Sequence, residues 1–212
     1  MNAEYSSLET AIREGNVDRG ASEAVALVER GYRPIQIFSE CIEPLLKDIG
    51  EKFSRLDIFL PEMVNSAQVV KAIQQTVKPY MGQGEELSTK GKIVIATVSG
   101  DQHDIGKNIV KAMLDVNGYE VKDLGVDVDA ADIVQDAKDF GADIIALSAL
   151  MLPSLPSVRD VIEYTKAVEG ESTYKIMVGG GPVSPEWAEE AGADGYGDDA
   201  MEAVHVADQF LQ

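Results

Sequence analysis

Ile93-Val94-Ile95-Ala96-Thr97-Val98-Ser99-Gly100-Asp101-Gln102-His103-Asp104-Ile105-Gly106-Lys107-Asn108 decides the fold of this chain. Six β-favouring apolar residues end in a polar turn holding two glycines, and a helical pattern through about Asn117 follows, closed by Gly118. The same unit recurs downstream. Strands are expected near Glu120 to Leu124, at Ile144 to Leu147, at Lys175 to Val178 and around Gly195-Tyr196. Helices are expected at about Ala130 to Phe140, Pro156 to Val168 and from Asp198 onward. Such strand-helix alternation predicts an α/β fold, a doubly wound five-stranded parallel sheet, because right-handed crossovers return each helix over the sheet. A ligand then belongs outside the carboxyl ends of the strands where their order reverses, at the loops after the first and third.

Upstream the pattern differs. Apolar residues recur three and four apart, as at Val17, Ala21, Ala24, Val25 and Val28, with Asn16 placed as an N-cap and Gly31 as a stop. A third helix starts at Pro34 and runs to about Phe53, with a bend at Pro44, and a fourth runs from about Pro61 to Tyr80. Four helices predict a small bundle. The polar, glycine-containing stretch 82–91 separates the two patterns, giving a helical domain over 1–88 and a flavodoxin-like or Rossmann-like domain over 89–212. Gly82, Gly84 and Gly91 suit a hinge there.

Composition narrows the function. Of 212 residues, 45% are hydrophobic, and 37 acidic against 18 basic side chains give a net charge of −19. Such a surface repels phosphate backbones and anionic membranes, so no nucleic acid and no membrane is expected as a partner. No apolar run approaches the roughly 20 residues that cross a bilayer. The N-terminal residues lack a basic region followed by an apolar core, and a single cysteine, Cys41, forms no internal disulfide, so a cytoplasmic protein is expected.

The turn at 99–108 gathers the polar chemistry. An aspartate two residues before a histidine can bond one ring nitrogen, fix the tautomer and leave the other basic enough to bind a metal. Two phosphate-site readings fail on spacing: Gly100 and Gly106 enclose five residues rather than a P-loop's four, and the Gly-x-Gly-x-x-Gly of a dinucleotide site is absent. A receiver domain requires an aspartate at the end of the third strand, where this chain has Ser148. His205 reads as a solvated or capping residue, Cys41 as packed, and Trp187 as the anchor of a helix start.

Taken in order, Asp101-x-His103-x-x-Gly106, Ser148-x-Leu150 and Gly179-Gly180 resemble the cobalamin-binding signature of corrinoid-dependent methyltransferases and mutases. The stretch Phe59-Leu60-Pro61-Glu62-Met63-Val64-Asn65-Ser66-Ala67 resembles the helical cap of methionine synthase and of the corrinoid proteins of methanol, methylamine, betaine and aryl-ether methyl transfer. The resemblance covers nearly the whole chain. It implies that His103 is the lower axial ligand of cobalt, that Asp101 and Ser154 complete a relay behind it, and that Gln102, Asp104 and Ile105 also contact the cofactor. It further implies that Gly106, Ser148, Leu150, Gly179 and Gly180 line a slot for the nucleotide tail, glycine allowing close approach. Phe59, Leu60 and Met63 read either as bundle core or, by the resemblance, as cover for the upper corrin face.

The implied function is that of a methyl carrier, inactive alone, cycling between Co(I) and methyl-Co(III), with methylcobalamin as the loaded form. A substrate-specific donor methyltransferase and an acceptor methyltransferase using tetrahydrofolate or a thiol are the implied partners, with a reductive activation protein. An O-demethylase or a methylamine or betaine system fits this pattern. The alternatives are a small subunit of an adenosylcobalamin-dependent mutase, which should lack the helical bundle, and a cobalamin-binding regulator, which should carry a basic DNA-reading helix.

Overall fold

The computed structural model describes residues 3–82, 89–170 and 173–211, so Gly84 of the expected hinge lies outside the described residues. The chain divides into two compact units, Met1–Ser88 and Thr89–Gln212.

The first unit is helical, with α1 (Ser6–Arg13), α2 (Val17–Glu29), α3 (Pro34–Ile37), α4 (Glu43–Ser54) and α5 (Leu60–Val77). Asn16 caps α2 by accepting the Arg19 N–H at 3.0 Å, and Gly31, at φ +98°, turns the chain away beyond its end. Helix α5 buries Met63, Ser66, Val69, Ile73 and Val77 on one stripe. That stripe meets α2 closely enough that a Cβ on Gly20 would lie 2.4 Å from Val69 Cγ1, and the Ser66 hydroxyl donates to the Ile12 carbonyl at 3.0 Å.

The bend expected at Pro44 takes the form of a π-helical turn, Phe38–Ile42, between α3 and α4. Proline offers no N–H to the carbonyl four residues back and its ring crowds that carbonyl, so the backbone widens by one residue to pass it.

The second unit holds five strands, β1 (Lys92–Thr97), β2 (Glu120–Asp123), β3 (Ile144–Ser148), β4 (Lys175–Gly179) and β5 (Gly195–Gly197), all parallel, in the order β2-β1-β3-β4-β5. Alternate residues of the central strands, among them Val94, Ala96, Ile145, Leu147, Ile176 and Val178, pack under α7 (Ala130–Phe140), α8 (Leu155–Glu169) and α9 (Pro185–Ala191). Helices α6 (Ile105–Val116) and α10 (Ala200–Phe210) lie together on the other face. Strands β1, β3 and β4 are apolar at nearly every position because helices cover both sides.

Helix α9 is the one α-helix described in this unit that the sequence-based reading lacked, where Trp187 only marked a helix start. Its start is signalled by Ser184, whose hydroxyl accepts the Trp187 N–H at 3.1 Å, and by Pro185 in its first turn. Seven residues give too little periodicity to reveal the rest.

The order of strands reverses between β1 and β3, and the register sets Thr97 opposite Ser148. The loops leaving these two strands therefore emerge side by side at one edge of the sheet.

Candidate functional site

Asp101 organises that edge. It is fully buried, and each carboxylate oxygen is satisfied from a different loop. Oδ1 lies 2.7 Å from His103 Nδ1 and accepts the His103 backbone N–H at 3.1 Å. Oδ2 accepts the backbone N–H groups of Leu150 at 2.7 Å and Met151 at 3.1 Å and the Ser154 hydroxyl at 2.9 Å. Burial, the largest single influence on this carboxyl, acts to raise its pKa. The bonds from His103, Leu150 and Ser154 together override it and hold the group well below the usual carboxylate range. Asp101 is thus an anion, and its charge favours a proton on Nδ1 of His103, the arrangement that directs the other ring nitrogen, Nε2, toward a ligand.

The His103 side chain is 52% exposed, and no described group bonds to Nε2. With Gly100, Gln102, Asp127 and Met151 it lines a cleft of about 420 Å³. The loop is pinned from below, where the Thr97 hydroxyl donates to the His103 carbonyl at 2.9 Å. Asp104 precedes α6 and accepts from Asn108 Nδ2 at 3.1 Å. Ile105 is exposed, and a Cβ on Gly106 would meet nothing within 4 Å. The structure therefore brings Asp101, Gln102, His103, Asp104, Ile105 and Gly106 together with Ser148, Leu150 and Ser154.

Gly179 and Gly180 end β4 beside them, but the chain itself needs these glycines. A Cβ on Gly180, which sits at φ +122°, would lie 1.9 Å from the Ala149 carbonyl oxygen, and one on Gly179 would lie 2.8 Å from that of Gly197. The fold therefore requires glycine at both positions on its own account. At Gly106, where space is open, room for a ligand remains the simplest account.

In the helical unit the two readings of the Phe59, Leu60 and Met63 stretch separate. Met63 is fully buried and continues the Ser66 and Val69 stripe, the environment of the bundle core. Phe59 is 74% exposed and Leu60 partly so, which leaves both available to a ligand. The Glu62 carboxylate accepts the Phe59 N–H at 2.8 Å and fixes the start of α5.

Sequence reasoning missed the Leu150 and Met151 N–H groups, because backbone donors leave no side-chain signature. It also missed Asp127. The one available signal was position: Gly125-Val126-Asp127 follows the second strand and so reaches the same sheet edge.

Comparison with known proteins identifies the family. Residues 91–205 and residues 6–78 each match a family model described as a B12 binding domain. A corrinoid protein of Desulfitobacterium hafniense (strain Y51) is 37% identical over 96% of this chain and 95% of its own length. Dimethylamine corrinoid protein 1 of Methanosarcina acetivorans is 41% identical over 84% of each. The crystal structure of the methanol:cobalamin methyltransferase complex from Methanosarcina barkeri superposes with a TM-score of 0.89 at 28% identity, over 99% of this chain and 80% of that one. The chain belongs to the B12-binding family of corrinoid proteins.

Proposed function

We propose that this protein holds a cobalamin-type corrinoid at the β1–β3 edge and carries a methyl group between two methyltransferase partners. The observation that supports this best is the 2.7 Å contact between His103 Nδ1 and Asp101, with Nε2 left over in the cleft. The residues fit such a group. Imidazole nitrogen suits a first-row transition metal, and a carboxylate on the far ring nitrogen both orients the ring and raises its basicity. A bound corrinoid supplies a cobalt centre that accepts and releases a methyl group, chemistry that no side chain offers.

The chain's own residues contribute position and proton control. His103 would hold the cobalt through Nε2, with Asp101 orienting the ring from Nδ1. Were the ring to take up a second proton, the Asp101 carboxylate against Nδ1 would be placed to stabilise the imidazolium. Ser154 and the Leu150 and Met151 N–H groups keep Asp101 ionised and fixed throughout. Gly106 leaves open space, and Leu150, about half exposed, offers apolar surface.

Among the described residues, no three or more His, Cys, Asp and Glu side chains form a group able to hold a metal ion. The partners this reading calls for are a substrate-specific donor methyltransferase on one side and a tetrahydrofolate or thiol methyltransferase on the other, with a reductive activator. Among the described residues no helix is long and apolar enough to cross a membrane.

The test is a visible spectrum after mixing the protein with hydroxocobalamin and desalting. Retained cobalamin with a base-off, histidine-ligated spectrum, changed in His103→Ala, is the expected result. A protein that retains none, or a His103→Ala spectrum identical to wild type, overturns the reading.

A further inference from the structure

One carboxylate of the cleft is unused by the chemistry above. Asp127 lines the same cleft as His103, in the loop after β2. Its backbone is left-handed, at φ +55°, a conformation that only one other non-glycine residue among those described, Leu56, adopts. Two hydrogen bonds hold it there: its N–H donates to the Asp101 carbonyl at 2.9 Å, and Oδ1 accepts the Gly100 N–H at 2.7 Å. Thr97 N–H to Gly125 carbonyl at 3.0 Å and Val128 N–H to Thr97 carbonyl at 3.1 Å tie the rest of the loop to the end of β1. Asp127 is therefore fixed relative to the His103 turn.

The bland role, bonding Gly100 in a strained turn, occupies one oxygen and requires no charge. Asparagine tolerates a left-handed backbone at least as well and can accept the same N–H. What aspartate adds is a negative charge beside the cleft, in a protein already at −19. Among the described residues no basic side chain forms an ion pair with it, and no group bonds to Oδ2. A carboxylate placed this way favours a ligand edge rich in N–H donors and disfavours one bearing its own negative charge.

Resting on the corrinoid reading, we propose that Asp127 is a specificity-determining residue. It accepts a hydrogen bond from a peripheral carboxamide of the corrin and thereby selects fully amidated corrinoids over those in which that amide is hydrolysed to a carboxylate.

The test compares hydroxocobalamin with its separate monocarboxylic acids, each carrying one hydrolysed side-chain amide, by spectral titration of wild type, Asp127→Asn and Asp127→Ala at pH 7. Wild type is expected to bind at least one of the acids about tenfold or more weakly than cobalamin. Asp127→Asn, which keeps the Gly100 bond and the turn, is expected to bring that ratio close to one. Asp127→Ala is expected to weaken cobalamin itself by about tenfold. Should Asp127→Ala fail to fold, the asparagine variant still decides. An unchanged ratio in Asp127→Asn overturns the assignment while leaving the His103-dependent spectrum, and so the corrinoid reading, in place. A wild-type protein that retains no cobalamin overturns both.

Discussion

Asp101 collects five donors on two oxygens, and its neighbours differ in what their loss does. Ser154→Ala removes one donor and leaves the Leu150 and Met151 N–H groups on Oδ2, so it should cost about 1 kcal/mol in urea denaturation. Asp101→Asn is worse, because an amide nitrogen must face donors on one side or the other; a loss of about 2–3 kcal/mol is expected. The sign of its pH dependence follows from the lowered carboxyl pKa. A group whose folded pKa lies below its unfolded value stabilises the fold above the unfolded value, about 4, and loses that contribution as pH falls toward the folded one. The stability gap between wild type and Asp101→Asn should therefore shrink as pH falls below about 4. A gap that widens in that acidic range would contradict the ionised assignment. Cys41 gives a simpler test, since burial, with a smaller effect of Glu9, pushes its thiol up to about 12. Alkylation by iodoacetamide at pH 8 should be negligible in the folded protein and rapid in urea.

At the scale of elements, the glycines at the ends of strands and starts of helices separate demands of the fold from demands of a ligand. Gly180→Ala drives a Cβ into the Ala149 carbonyl and strains a left-handed backbone, so it should lower stability by about 3 kcal/mol or more. Gly106→Ala meets nothing, and alanine favours the first turn of α6, so the cofactor-free protein should melt at the same temperature or higher, by up to about 1 kcal/mol. Cobalamin retention should nevertheless fall, since the new methyl group occupies the open space. If Gly106→Ala binds like wild type, that space is not the ligand's. The strands and long helices of the second unit were legible because apolar runs and 3.6-residue periodicity repeat over enough residues; the Asp101 and His103 pair was legible through its spacing, and Ser154 only through the family resemblance. The π-turn at Phe38–Ile42 was visible only as a proline, since sequence marks the obstruction and not the backbone's route around it. Gly179 and Gly180 stood out as a pair, yet their cause, close contact with distant backbone, requires the register of β4 against its neighbours. Asp127 was hidden as one of 37 acidic residues.

For the molecule as a whole, the second unit contains what its chemistry needs. Every donor to Asp101 lies between His103 and Ser154, the cleft is lined by residues from Gly100 to Met151, and the central strands have helices on both faces. Its sheet edges are also protected from pairing with other chains. β2 carries Glu120, Lys122 and Asp123 among its four residues, and β5 has only three residues, two of them glycine. A core of this extent, in about 120 residues, lies within the range of domains that fold alone. The fragment 89–212 is therefore expected to unfold cooperatively in urea, with coincident far-ultraviolet circular dichroism and tyrosine and tryptophan fluorescence transitions. It should also retain hydroxocobalamin with the same His103-dependent spectrum as the full chain. A fragment that folds but releases cobalamin on desalting would make the helical unit part of the binding site. One that fails to unfold cooperatively would show that residues 1–88 belong to its folding core.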